Sequence, residues 1–122
     1  LYDGILLKDN HIAVAGGVRP AVEAAVAGRP HPLKVEVEVT TLEELREAID
    51  AGADVVLLDN MSLEQLREAV QVSAGRVITE ASGGVTVETV GAIAATGVDF
   101  ISAGALTHSA PAIDISLEVT VE

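Results

Sequence analysis

Arg76-Val77-Ile78-Thr79-Glu80-Ala81-Ser82-Gly83-Gly84-Val85 decides the fold. A short apolar run leads into Ser-Gly-Gly, and a helical pattern follows from Thr86. Glycines here leave backbone N–H groups free and let them approach a ligand closely, and a helix start adds partial positive charge. The loop is therefore read either as a phosphate cradle or as a tight turn.

Outward from this stretch the same unit repeats about every twenty-odd residues. Gly4-Ile5-Leu6-Leu7 and Val55-Val56-Leu57-Leu58 are continuous apolar runs, as in strands buried on both faces. Leu33 to Val39 alternates, with Val35, Val37 and Val39 on one side and Glu36 and Glu38 on the other. By itself that is a half-exposed strand, to be weighed against buried-looking neighbours. Asp99-Phe100-Ile101-Ser102 is the fifth strand. Helices are expected from Pro20 to Ala27 with Gly28 as C-cap, from a Thr41–Glu44 capping box to Gly52, from a Ser62–Gln65 box to Gly75, and from Thr86 to Gly97. Ala51-Gly52-Ala53-Asp54 and Thr96-Gly97-Val98-Asp99 hold the same place in their units. The alternating tail Ile113–Val121 is a candidate strand outside the repeat.

Five strands alternating with four helices predict an α/β fold: a partial (β/α) barrel of parallel strands. A closed barrel takes about 250 residues, so this chain makes roughly half to two-thirds of one. It starts at Leu1 and runs straight into a strand, which suggests a piece of a longer chain.

Composition narrows the function. The chain is 49% hydrophobic, with Tyr2 and Phe100 its only aromatic rings of the Phe/Tyr/Trp kind. Its core must be aliphatic. No stretch is long and apolar enough to span a bilayer, and no signal-peptide pattern opens the chain, so a soluble, cytoplasmic protein is expected. The absence of Cys excludes disulfides and thiolate metal sites. A net charge of −12 argues against nucleic acid.

In such folds the chemistry sits where strands end. Those ends carry Lys8, Glu38, Asp59, the Ser82-Gly83-Gly84 loop and the loop from Gly104 to His108. Any one of these could be a solvated rim residue; five in register argue for a site. Glu38 and Asp59 suit Mg²⁺ or sugar hydroxyls, and Lys8 suits a phosphate or carboxylate. His108 either donates to an anion or caps its loop. His11 is read as a local hydrogen-bonding residue in preference to an acid/base group. His31, between Pro30 and Pro32, is given no role.

Leu7-Lys8-Asp9-Asn10-His11-Ile12, Glu36-Val37-Glu38-Val39, Leu57-Leu58-Asp59-Asn60, Glu80-Ala81-Ser82-Gly83-Gly84-Val85 and Gly104-Ala105-Leu106-Thr107-His108-Ser109 together resemble quinolinate phosphoribosyltransferase. The resemblance runs in order through nearly the whole chain. It implies the C-terminal barrel portion of an enzyme that condenses quinolinate with phosphoribosyl pyrophosphate and Mg²⁺. The products would be nicotinate mononucleotide, pyrophosphate and CO₂, in NAD biosynthesis. It implies Lys8 near the pyridine carboxylate and pyrophosphate, and Glu38 and Asp59 at the ribose hydroxyls and the metal, directly or indirectly. Ser82, Gly83, Gly84, Gly104 and His108 would cradle the 5′-phosphate. The family's N-terminal domain, first barrel units and the cations that grip quinolinate are absent, so the chain alone is expected to be inactive. Its two apolar edge strands, Gly4–Leu7 and Phe100–Ser102, lack edge protection and predict a homodimer or larger assembly, or cover by a longer chain. The competing readings are an excised or engineered inactive barrel fragment, and a related phosphate-binding barrel with a different substrate.

Overall fold

The computed structural model describes residues 4–104. In chain order the elements are β1 (Gly4–Leu7), α1 (Asp9–Ala15), α2 (Val18–Gly28), β2 (Lys34–Val39), α3 (Leu42–Ala51), β3 (Val55–Asp59), α4 (Leu63–Ser73), β4 (Ile78–Ser82), α5 (Val90–Ala94) and β5 (Phe100–Ile101). The tail strand expected at Ile113–Val121 and the site residue His108 lie outside the described residues. No helix among the described residues is long and apolar enough to cross a membrane.

All five strands are parallel and lie side by side in sequence order, β1-β2-β3-β4-β5. Without a reversal of order, crossovers of one hand put every helix on the same side of the sheet, as in a sector of a barrel. Burial agrees. Val35, Val37, Val39, Val56, Leu58 and Ala81 point toward the helices and are buried with Val22, Leu45, Ala48, Leu66, Ala69 and Ile93.

The opposite face is different. Strands β1 and β3 are not buried on both faces: along β3, buried Val56 and Leu58 alternate with half-buried Val55, Leu57 and Asp59. Register puts Glu36 in one row with Val55 and then Ile78, and Glu38 in one row with Leu57 and then Glu80, so the carboxylates share this second face. The alternation in β2 is thus not that of a half-exposed strand. Glu36 is 4% exposed, as buried as the valines around it.

The Thr41–Glu44 and Ser62–Gln65 capping boxes form as expected, with Glu44 N–H on Thr41 Oγ1 at 3.1 Å and Gln65 N–H on Ser62 Oγ at 3.2 Å. The second helix end differs. Helix α4 stops at Ala74, itself left-handed at φ 45, one residue before Gly75. Gly28 is the last residue of α2, not its cap; the chain leaves through extended Arg29.

Helix α1 was not expected at all. It buries no side chain, Val14 is 67% exposed, and its N-cap is Lys8, which is not a capping type. Its start is held instead by the Lys8 N–H donating to His11 Nδ1 at 3.2 Å. Gly16 at φ 86 then turns the chain, with the Gly17 N–H on the Ile12 carbonyl at 2.9 Å.

The unit repeat is visible in its hydrogen bonds. The Asp54 N–H donates to the Val35 carbonyl at 2.9 Å, and Asp54 Oδ2 accepts the Val35 N–H at 2.8 Å. The Asp99 N–H donates to the Thr79 carbonyl at 3.0 Å, and Asp99 Oδ2 accepts the Thr79 N–H at 2.8 Å. Each aspartate clamps the entry of its own strand to the preceding sheet partner.

Candidate active site

The exits of the strands all lie on the rim opposite those clamps. Lys8 follows β1, Glu38 lies one residue from the end of β2, and Asp59 and Ser82 end β3 and β4 as register partners. Gly83 and Gly84 follow at once, and Gly104 lies just beyond β5. Every expected site residue among those described lies on this one rim, from Lys8 after edge strand β1 to Gly104 beyond the opposite edge strand β5.

The charge around Glu38 reflects this arrangement. Burial pushes the Glu38 carboxyl above its ordinary value of 4.5, Asp59 pushes it further, and Lys8 pulls it back. Glu36, below it on the same face, is also raised, first by burial and then by Glu80, against the pull of Lys8. In the unfolded chain both carboxyls titrate near 4.5. As pH rises from there, the unfolded chain releases its protons first, and stability falls until the folded carboxyls have ionised too. Exposed Glu88, lowered by hydrogen bonds from its own N–H and from Thr86, acts in the opposite direction. The expected result is a urea midpoint that declines as pH rises above about 4.5 at fixed ionic strength. The decline should flatten in Glu36→Gln/Glu38→Gln; a midpoint that climbs through this range, or an unaltered slope in the double variant, contradicts the assignment.

The glycine loop is built around Asn60, a residue to which the sequence alone assigns no role. Asn60 adopts φ 50 directly after β3, its N–H donates to the Ser82 carbonyl at 3.0 Å, and its Nδ2 donates to Asp59 Oδ2 at 3.3 Å. Gly83, at φ 83, lies against the Asn60 amide, where a Cβ would collide with Oδ1. Gly84, at φ 62, has open space around its Cβ position. One side chain thus links the acidic strand end to the glycine loop.

The expected helix dipole behind this loop is a correction. Regular helix α5 is only Val90–Ala94, several residues past Gly84. Thr86 to Thr89 form a turn instead, with the Thr86 N–H on Thr89 Oγ1 at 2.8 Å and the Val90 N–H on the Thr86 carbonyl at 2.9 Å. So short a helix, set back by that turn, lends little field. Anion binding at this loop would rest on backbone N–H groups at left-handed glycines. Glu80, likewise assigned no role from sequence, accepts a hydrogen bond from Ser102 Oγ on the same open face.

Comparison with known proteins fits this geometry. A family model described as "Quinolinate phosphoribosyl transferase, C-terminal domain" matches residues 1–118. The chain belongs to the quinolinate phosphoribosyl transferase family. Among the family's members, a probable nicotinate-nucleotide pyrophosphorylase [carboxylating] of Bacillus subtilis (strain 168) is 47% identical over 121 residues, 99% of this chain and 42% of the relative. A human nicotinate-nucleotide pyrophosphorylase [carboxylating] is 44% identical over 118 residues, 94% of this chain and 40% of its own length. The solved nicotinate-nucleotide pyrophosphorylase of Francisella tularensis superposes with a TM-score of 0.79 at 49% identity, over 88% of this chain and 38% of that one. The chain therefore spans about two-fifths of the length of these quinolinate phosphoribosyl transferase relatives.

As for the metal the family resemblance implies, no group of three or more His, Cys, Asp or Glu side chains among the described residues could form a protein cage. Glu38 and Asp59 do fit the looser arrangement in which Mg²⁺ takes one or two carboxylates and completes its shell with water and substrate oxygens.

Proposed function

We propose that this chain supplies the sugar-phosphate half of a quinolinate phosphoribosyltransferase site, within a barrel completed by chain beyond these residues and preceded by an N-terminal domain. The observation that carries the reading is the single rim on which Lys8, Glu38, Asp59, Ser82, Gly83, Gly84 and Gly104 lie, in a member of this family. His108 belongs to the same proposed set.

Each group has a definable task. In the reaction, the pyridine nitrogen of quinolinate bonds to the anomeric carbon as the bond to pyrophosphate breaks; the ring carbon beside that nitrogen then loses its carboxylate as CO₂ and takes up a proton in its place. The Ser82-Gly83-Gly84 loop and the loop at Gly104 hold the 5′-phosphate and fix the sugar. Glu38 and Asp59 orient the ribose hydroxyls and stabilise positive charge developing on the ring. Lys8 offsets charge on the substrate carboxylate and on departing pyrophosphate. When bound with phosphoribosyl pyrophosphate, Mg²⁺ neutralises the leaving group; Glu38 and Asp59 are the residues that would hold it, directly or through water. Edges β1 and β5 are covered by the completing chain or by a second copy in a homodimer or larger assembly. A cytoplasmic location goes with this reading.

The test uses the 122-residue chain alone and grafted into the Bacillus subtilis relative in place of its matching segment. The chain alone should form no nicotinate mononucleotide from quinolinate, phosphoribosyl pyrophosphate and Mg²⁺. The graft should form it, and Glu38→Ala and Asp59→Ala in the graft should each lower kcat by about 10²-fold or more. A fully active graft whose two alanine variants turn over at the parental rate removes both carboxylates from the site. Turnover by the isolated chain overturns the half-site.

A further inference from the structure

Below the rim, the open face of the sheet holds a cavity of about 300 Å³ lined by Lys34, Glu36, Val55, Ile78, Glu80 and Phe100. Glu36 is 4% exposed, yet its Oε1 has no hydrogen-bond partner. A buried carboxylate oxygen left unpaired is costly, so such groups are ordinarily matched by a donor. None of the ion pairs among the described residues involves Glu36 or Glu80. Lys34 lines the cavity but pairs with neither. Phe100, the register partner of Glu80, is 58% exposed. It brings an aromatic surface to the same space.

Three candidate occupants differ in how they meet these walls. A neutral apolar group would leave Glu36 unpaired. A hydrated metal ion would sit against Val55, Ile78 and Phe100, and no metal-holding cluster exists among the described residues. A guanidinium is planar, weakly hydrated, donates to two carboxylates at once and stacks on aromatic rings. The chain's own arginines are elsewhere. Arg19, Arg46 and Arg67 are on helices α2, α3 and α4, Arg29 is bound to Asp54, and Arg76 donates to the Val72 carbonyl.

We propose that this cavity is a guanidinium receptor, filled in the assembled barrel by an arginine side chain from the part of the parental protein outside these 122 residues. This rests on the reading of the chain as one portion of a larger barrel. Relatives more than twice as long leave ample chain to cover the face. The excess of carboxylates on it (Glu36, Glu38, Asp59 and Glu80 against Lys8 and Lys34) calls for positive charge.

N-acetyl-arginine amide, titrated into the ¹⁵N-labelled chain, is the probe. The expected result is saturable amide shifts clustered at Glu36, Val55, Ile78, Glu80 and Phe100. Affinity should be about ten-fold above that for N-acetyl-lysine amide, and about ten-fold weaker in Glu36→Gln and in Phe100→Ala. Phe100 is exposed, so its variant keeps the test open if Glu36→Gln fails to fold. No saturable shift, equal affinity for the lysine probe, or undiminished binding in Phe100→Ala overturns the proposal. So does a concentration-dependent self-association in sedimentation that the arginine probe dissolves, which makes the occupant a second copy. No transfer activity is read, so failure here and failure of the enzymatic reading are distinct outcomes.

Discussion

Gly83→Ala should destabilise the chain by about 2–4 kcal/mol, well beyond an ordinary surface change. Two costs combine. An alanine at φ 83 is strained, and its Cβ collides with the Asn60 amide. Gly84 provides the internal comparison: it is also left-handed, at φ 62, but has no neighbour near its Cβ position, so Gly84→Ala should cost only about 1–2 kcal/mol. Against an Asn60→Ala background the collision is gone, and the penalty of Gly83→Ala should shrink toward that of Gly84→Ala in the parent. Thermal melting of the parent and these four variants checks this, with Gly83→Ala lowering Tm by about 10 °C or more. Equal losses in the two glycine variants would mean that Asn60 yields freely, and would remove it as the strut between Asp59 and the loop.

Asp99→Ala should be comparably severe, at about 3 kcal/mol. Asp99 Oδ2 accepts both the N–H and the Oγ1–H of Thr79, at 2.8 and 2.9 Å, and Thr79 is only 2% exposed. Removing the carboxylate leaves two buried donors without their acceptor, at about 1–3 kcal/mol each before relaxation. Thr79→Val in the Asp99→Ala background removes one orphan and should recover part of the loss. Asp99→Asn keeps an acceptor in place and should be milder. A denaturation midpoint for Asp99→Ala within about 0.5 kcal/mol of the parent would show that the clamp adds nothing.

The repeat that led to Asp99 was legible because its causes are local. Strands with consecutive β-branched residues, helices with Ser or Thr three residues ahead of Gln or Glu, and glycine at helix ends announce themselves in a few residues. The rim followed from this, since a parallel sheet with ordered strands sends all its exits one way. What the sequence concealed depends on distant partners. Helix α1 has no buried stripe to give it away; the local hydrogen bonding expected of His11 is present, on the Lys8 N–H, but no Ser, Thr, Asp or Asn marks the cap. The inner location of Glu36 is invisible in the alternation of β2, because a period of two separates faces without saying which one meets solvent. Glu80 has the same parity on β4, and the more conspicuous Ser82-Gly83-Gly84 next to it masks its place on that face. Asn60 looked like the end of a strand; its importance comes from Gly83, more than twenty positions later. The turn at Thr86–Thr89 carries the sequence marks of a helix start, and only its hydrogen bonds reveal that regular helix begins later.

The two aspartate clamps have a consequence for how such a chain can change. Asp54 and Asp99 fasten β2 to β3 and β4 to β5 at the strand entries, remote from Lys8, Glu38, Asp59 and the glycine loop at the exits. Fastening and the proposed chemistry draw on separate sets of residues at opposite poles. An insertion or a swapped loop at one pole leaves the rivets at the other untouched. Exit loops can therefore be exchanged like cassettes, while the strand pairs β2/β3 and β4/β5 each keep their own means of staying in line.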